Sequence, residues 1–235
     1  MGIRDCSRDA SGRLGLSRTM RLPERVAICE VGPRDGLQNE AANVPTADKI
    51  RLIEALAQTG VRRMEATSFV APKWIPKLAD AGEVLAGIRR QPGVAYAALV
   101  PNIKGLERAL AAKVDEAVIF LSASETHNQK NINKSIAEAL ETYLEVAARA
   151  KQAGLRLKGA ISTCFGCPYA KGATGNVATE DLVHMLHEMG IETGMDLERL
   201  IECAKLAQDL VGRPLEGHVA KAGPVNHQGT GAACG

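Results

Sequence analysis

Cys164-Phe165-Gly166-Cys167 is a Cys-x-x-Cys, a spacing that serves as half of a zinc site or as a redox pair. The chain has no second Cys-x-x-Cys and no His-x-x-x-His to complete a zinc site. A redox pair usually opens a helix directly, whereas Pro168 and a Gly-rich loop follow here. That loop, Gly172-Ala173-Thr174-Gly175-Asn176, leads into a helix entered at Thr179 and could cradle a phosphate at the helix N-terminus. It lacks both the Lys-Ser/Thr pair of a P-loop and a full dinucleotide fingerprint. His184 and His187, three apart on that helix, read as surface and groove residues rather than ligands. Gly32-Pro33-Arg34-Asp35-Gly36 is more distinctive: Gly32, Pro33 and Gly36 impose an unusual backbone that presents Arg34 and Asp35 side by side. The alternative is a surface ion pair in a tight turn.

The elements that must position these groups alternate. Candidate strands run over Val26–Val31, Arg63–Phe69, Val94–Val100, Glu116–Ser122 and Leu157–Cys164. Between them lie amphipathic segments. One carries Ile50, Ile53, Leu56 and Ala57 on a stripe entered at Thr46 and stopped by Gly60; a second covers Ile103–Ala112. A third starts at Ser135 with Glu138 as a capping box and runs to Gly154. This order implies parallel βαβ units with right-handed crossovers. Functional groups of such folds lie at the carboxyl ends of strands. Arg34, Asp35, Asn102, Ser124, His127, Asn128, Cys164 and Cys167 all stand there, with Glu65 inside the second strand.

After Cys164 the alternation ceases. One helix presents Leu182, Met185, Leu186 and Met189; the next starts near Asp196 and buries Leu197, Leu200, Ile201, Ala204 and Leu210, and from Gly212 the chain frays. A complete (β/α)8 barrel takes ~250 residues and eight strands, against roughly 190 residues and five strands between the tails here. The expected fold is therefore α/β, an incomplete TIM barrel of about five parallel strands plus C-terminal helices. Its domain spans 24–215, between a disordered tail over 1–23 and a flexible one over 216–235.

The 235 residues are 46% hydrophobic and 24% charged, with a net charge of +2, which gives no basic surface for a nucleic-acid partner. No apolar run reaches the roughly 18 residues a membrane span needs. Six scattered cysteines read as mostly reduced thiols. Arg4, Arg8, Arg13 and Arg18 near the start would suit a mitochondrial transit peptide, but Asp5 and Asp9 argue for a cytoplasmic protein.

Four stretches carry a resemblance. Val26–Glu40, Glu65–Pro76, Ser122–Asn128 and Gly166–Val183 resemble hydroxymethylglutaryl-CoA lyases, and the likeness covers nearly all of 24–215. It implies a (β/α)8 barrel that cleaves hydroxymethylglutaryl-CoA to acetoacetate and acetyl-CoA with Mg²⁺ or Mn²⁺. In the roles it implies, Arg34 stabilises the thioester enolate, Glu65 orients the Arg34–Asp35 pair, and Cys167 protonates the enolate. Asp35 and Asn176 ligate the metal, and the partner is an acyl-CoA substrate.

The chain departs from that family pattern in one respect. The family carries Gly-Cys-Pro-Tyr after strand five and again after strand eight, whereas Gly166–Tyr169 occurs here once. The two copies look joined, with strands six to eight deleted together with the family's His-x-His metal pair. Of the family's four protein ligands only Asp35 and Asn176 match. The expectation is a lyase of impaired activity, or alternatively an inactive remnant that at most binds acyl-CoA or a partner subunit. Two such halves are further expected to pair as a homodimer that completes the core.

Overall fold

The computed structural model describes residues 22–163 and 177–225. Its centre is a five-stranded, all-parallel sheet in the order β1 (Cys29–Glu30), β2 (Arg63–Ser68), β3 (Ala95–Leu99), β4 (Glu116–Ser122) and β5 (Arg156–Ser162). Helices fill each crossover: α2 (Thr46–Ala57), α3 (Ala81–Gly87), α4 (Ile103–Ala111), and the pair α5 (Glu125–Ile132) and α6 (Ile136–Gln152). A short turn, α1 (Leu37–Asn39), precedes them. The sheet curls into an open half barrel, the incomplete TIM barrel expected above.

Sequence and packing agree in the crossovers. On α2 the buried residues Leu52, Ile53, Leu56 and Ala57 recur at helical spacing and meet Met64 and Ala66 of β2 in the main core. Tyr96, Ala98 and Ala117 continue that layer against Val84, Leu106 and Val146. Along a strand alternate residues point to opposite faces. Ala97, Leu99 and Val118 therefore form a separate small cluster with Val70 and Phe120 on the concave side. The capping box of α6 is present in both directions, Ser135 and Glu138 exchanging bonds with each other's backbone N–H.

Three local expectations are corrected. The first strand is two residues long rather than Val26–Val31, because Glu24 and Val26 pair with Glu192 instead and the chain turns at Gly32. On α7 (Thr179–Glu188) the buried side chains are Glu180 and Val183, while Met185 is half exposed. The helix thus turns a different face inward from the Leu182–Met189 stripe, since it packs on α8 (Leu197–Val211) and α9 (Val219–Ala222). Beyond Gly212 the chain continues ordered through α9, whose N-terminal N–H groups at His218 and Val219 donate to the Asp181 carboxylate. The tail expected over 216–235 contains that helix.

Gly60 joins the C-terminal helices to the half barrel. Its φ is +87°, and a methyl group there would overlap the carbonyl oxygen of Gly194 in the α7–α8 connection. Beside it, the N–H of Asp196, the N-cap of α8, donates to Thr59 O at 2.7 Å. Gly60→Ala forces both a left-handed backbone on a β-carbon and a clash with main chain, and is expected to lower stability by about 2 kcal/mol or more, read from urea unfolding of the full chain.

Candidate active site

The turn after β1 is a π-type turn over Gly32–Gly36, with the N–H groups of Arg34, Asp35 and Gly36 converging on Val31 O. Glu30, buried at the end of β1, shapes its entry: its Oε1 accepts from Gly32 N at 2.6 Å. A β-carbon on residue 32 would come within 2.9 Å of that oxygen, so a larger residue there would push the Glu30 carboxylate aside. Gly36 has ordinary helical torsions and open space around it, and neither glycine has a positive φ.

This turn aims Arg34 at β2. Its Nε and Nη2 donate to Glu65 Oε2 at 2.9 and 2.6 Å, and its Nη1 donates to Asp35 Oδ1 at 2.5 Å. Glu65 is only 3% exposed. The β2–β3 register shifts between Glu65 and Thr67, a local irregularity of the kind that re-aims side chains beside functional sites. The sequence motifs for Arg34, Asp35 and Glu65 thus converge on one point, past the end of β1 and midway along β2.

A fourth charge stands beside them that sequence reasoning missed. Lys158 of β5 donates from Nζ to Glu65 Oε1 at 3.1 Å and lies 3.5 Å from Cys29 Sγ on β1. The available signal was a cation inside the small and apolar run Leu157–Ile161 of a strand. Burial works against the Lys158 charge, but Glu65 and Cys29 outweigh it and hold the ammonium above its ordinary pKa. Burial likewise pushes the Cys29 thiol up, and the opposing pull of Lys158 does not cancel it.

Other candidates are structural. Asn102 caps α4 by accepting from Gly105 N, and Ser124 caps α5 by accepting from His127 N. Asn128 is buried and bridges Ser122 N to Lys134 O. His187 bonds Thr193 Oγ1 at 2.9 Å. Cys164, Cys167, the Gly172–Gly175 loop and Asn176 lie outside the described residues.

Among the described residues no three His, Cys, Asp or Glu side chains group as metal ligands. Both oxygens of Glu65 and Oδ1 of Asp35 already face cationic side chains. Mg²⁺ wants six oxygen ligands in near-octahedral array, and the described donors do not fit that requirement.

A family profile described as HMGL-like matches residues 25–174. The chain belongs to this family. It is 36% identical over 288 aligned positions to the hydroxymethylglutaryl-CoA lyase YngG of Bacillus subtilis, covering 83% of this chain and 96% of that protein. It is 35% identical to the mitochondrial hydroxymethylglutaryl-CoA lyase of Gallus gallus, covering 86% and 98%. The crystal structure of the Bacillus subtilis HMG-CoA lyase superposes with a TM-score of 0.81, at 36% identity and with 86% and 98% of the two chains covered. An HMG-CoA lyase from Acinetobacter baumannii, in complex with coenzyme A and 3-methylmalate, superposes at 0.75 with 28% identity, covering 92% and 99%. By family the chain is thus of the HMG-CoA lyase enzyme type. Since 83% of 235 residues is about 195, about 90 of the 288 positions aligned with the Bacillus protein fall opposite a gap here. The chain is thus shorter than this relative within the aligned span, as the single Gly-Cys-Pro-Tyr led one to expect.

Behind the site, burial pushes the Glu180 carboxyl above the usual range, with Asp181 and Glu30 adding to the rise. A raised folded-state pKa in an acid means that stability is lost as pH climbs through the unfolded value and on to the folded one. Glu180→Gln is therefore expected to be more stable than wild type at pH 7 and to show no gain below about pH 4, where both forms are uncharged. Thermal melts at the two pH values check this; an equal gain at both would remove the electrostatic explanation.

Proposed function

We propose that this chain is a carbon–carbon lyase acting on 3-hydroxy-3-methylglutaryl-CoA, with its anion-handling half intact and its turnover low. The carrying observation is the Arg34 guanidinium, gripped along one edge by the buried Glu65 carboxylate. Cleavage begins with loss of a proton from the substrate's tertiary hydroxyl. The bond between the hydroxyl-bearing carbon and the thioester-side methylene then breaks. Acetoacetate forms on one side and the enolate of acetyl-CoA on the other. Negative charge gathers on the thioester oxygen, and a pre-oriented cation with N–H donors lowers that barrier most effectively where water is excluded.

The described contacts engage three of the five N–H groups of Arg34, which leaves donors for an enolate oxygen at the concave face. Glu65 holds the guanidinium plane in place, and Asp35, one residue on, is positioned to relay the hydroxyl proton. Cys167, by the resemblance, returns a proton to the enolate carbon. Asp35 and Asn176 are the two positions that match the family's metal ligands, and the described donors around Asp35 do not make up a set for Mg²⁺ or Mn²⁺. Loss of partners one shell out from a metal already costs ~10- to 100-fold in affinity or activity, so loss of direct ligands accounts for the low turnover proposed.

The same donor set favours a second reading, in which the domain over 24–215 binds the acyl-CoA without cleaving it. Acetoacetate formation with added Mn²⁺ separates the two. The lyase reading expects slow formation by wild type and a drop of about 10²- to 10³-fold in Arg34→Ala. Equal rates in the two proteins, or none in either while acetyl-CoA still binds, leave the second reading standing.

A further inference from the structure

We infer that Lys158 is a positioning residue of this centre: from the last strand of the sheet it holds the outer oxygen of Glu65, and so sets how Glu65 presents Arg34. In the order β1-β2-β3-β4-β5, two strands separate Lys158 from Glu65, yet Nζ reaches Oε1 at 3.1 Å. The curl of the sheet brings the ends together, and small side chains let the lysine cross. Glu65 is paired in register with Ala97, and Lys158 with Val118; both partners are fully buried and belong to the concave cluster. The lysine also approaches Cys29, which is in register with Arg63 on the same face of β2 as Glu65.

Two physical consequences follow from this placement. A buried carboxylate needs both oxygens satisfied, and Arg34 takes only Oε2. Lys158 supplies the bond to Oε1 and stops the carboxylate from rotating about its own axis. It also balances charge: Arg34 and Lys158 stand against Asp35 and Glu65. Without Lys158 the cluster carries an excess negative charge, which opposes an anionic acyl-CoA. Since its partners keep it protonated, Lys158 is neither a base nor a nucleophile here. The purpose of the positioning rests on the lyase reading; its geometry does not.

The neighbouring thiol reports on this arrangement. The groups that act on Cys29 are Lys158 and Arg63, which lower its pKa, and Glu65, which raises it. Iodoacetamide alkylation of the full chain, followed on the Cys29 peptide by mass spectrometry against pH, reads them in turn. Lys158→Met is expected to move the profile to higher pH, Lys158→Arg to leave it near wild type, and Glu65→Gln to move it to lower pH. Loss of the fold would expose the thiol and shift Met and Gln variants the same way, so the opposite signs are diagnostic. Modification of Arg34 by phenylglyoxal should rise several-fold in Lys158→Met and not in Lys158→Arg. In the lyase assay, Lys158→Met should lower kcat at least tenfold with KM little changed, and Lys158→Arg should restore it. A Lys158→Met profile that superimposes on wild type, or same-direction shifts in the Met and Gln variants, overturns the assignment. Absence of acetoacetate from wild type refutes the lyase reading alone, because the two modification profiles still decide the position of Lys158.

Discussion

A single buried carboxylate ties this structure together. Glu65 is nearly inaccessible to water, and an ionised carboxylate in such a place costs several kcal/mol unless it is paired and hydrogen-bonded. Arg34 reaches it from the turn after the first strand and Lys158 from the fifth. A flat sheet would hold the first and fifth strands far apart, so the pairing exists only because the sheet curls. In turn, the curl brings two cations to a carboxylate that would otherwise be badly placed. Backbone detail serves the same end. The register shift beside Glu65 and the close approach of Gly32 to Glu30 both orient side chains at the carboxyl end of the sheet.

The remainder of the half barrel is built to hold that curl. Parallel strands need both faces covered. From β2 to β4 the helices α2 to α6 cover the outside and the Ala97–Leu99–Val118 cluster fills the inside. Coverage thins at β5, where Gly159 and Ile161 are exposed while five of the six residues of β2 are buried. About 90 positions of the alignment with the Bacillus relative have no counterpart in this chain. Among the described residues α8 packs on α2 and α7 on α8, and the pair is anchored through the Gly60–Gly194 contact.

Charge is distributed unevenly around the site. On the concave face, opposite charges alternate from Arg34 to Glu65 to Lys158 and are satisfied. Glu180 is buried, and burial together with Asp181 and Glu30 raises the cost of its ionisation. Asp181 shows the contrast within one turn of helix. Burial also penalises its charge, but N–H donors from His218 and Val219 outweigh that and keep it below the usual range. Neighbouring carboxylates on one helix thus differ because the His218 and Val219 donors outweigh burial at Asp181, whereas burial outweighs the single backbone donor at Glu180.

Much of this was legible in the residues. The alternation of β-branched runs with helical stripes specified a parallel sheet of five strands, with β4 predicted over its full length, because a short β-branched apolar run between helical patterns suits a buried strand. Arg34, Asp35 and Glu65 were marked by a turn motif and by family likeness, and the α6 capping box by its Ser135–Glu138 spacing. The short first strand, the inward face of α7 and the order beyond Gly212 were not legible, because each depends on a partner distant in sequence: Glu192, α8 and Asp181 respectively. Lys158 is the clearest case. Local pattern places it on a strand and says nothing of what it meets, since its partners stand 93 and 129 residues away. Local pattern and motif carried the parallel strands and the family likeness, because both are read over short stretches; which charges share a site depended on five strands curling until their ends met.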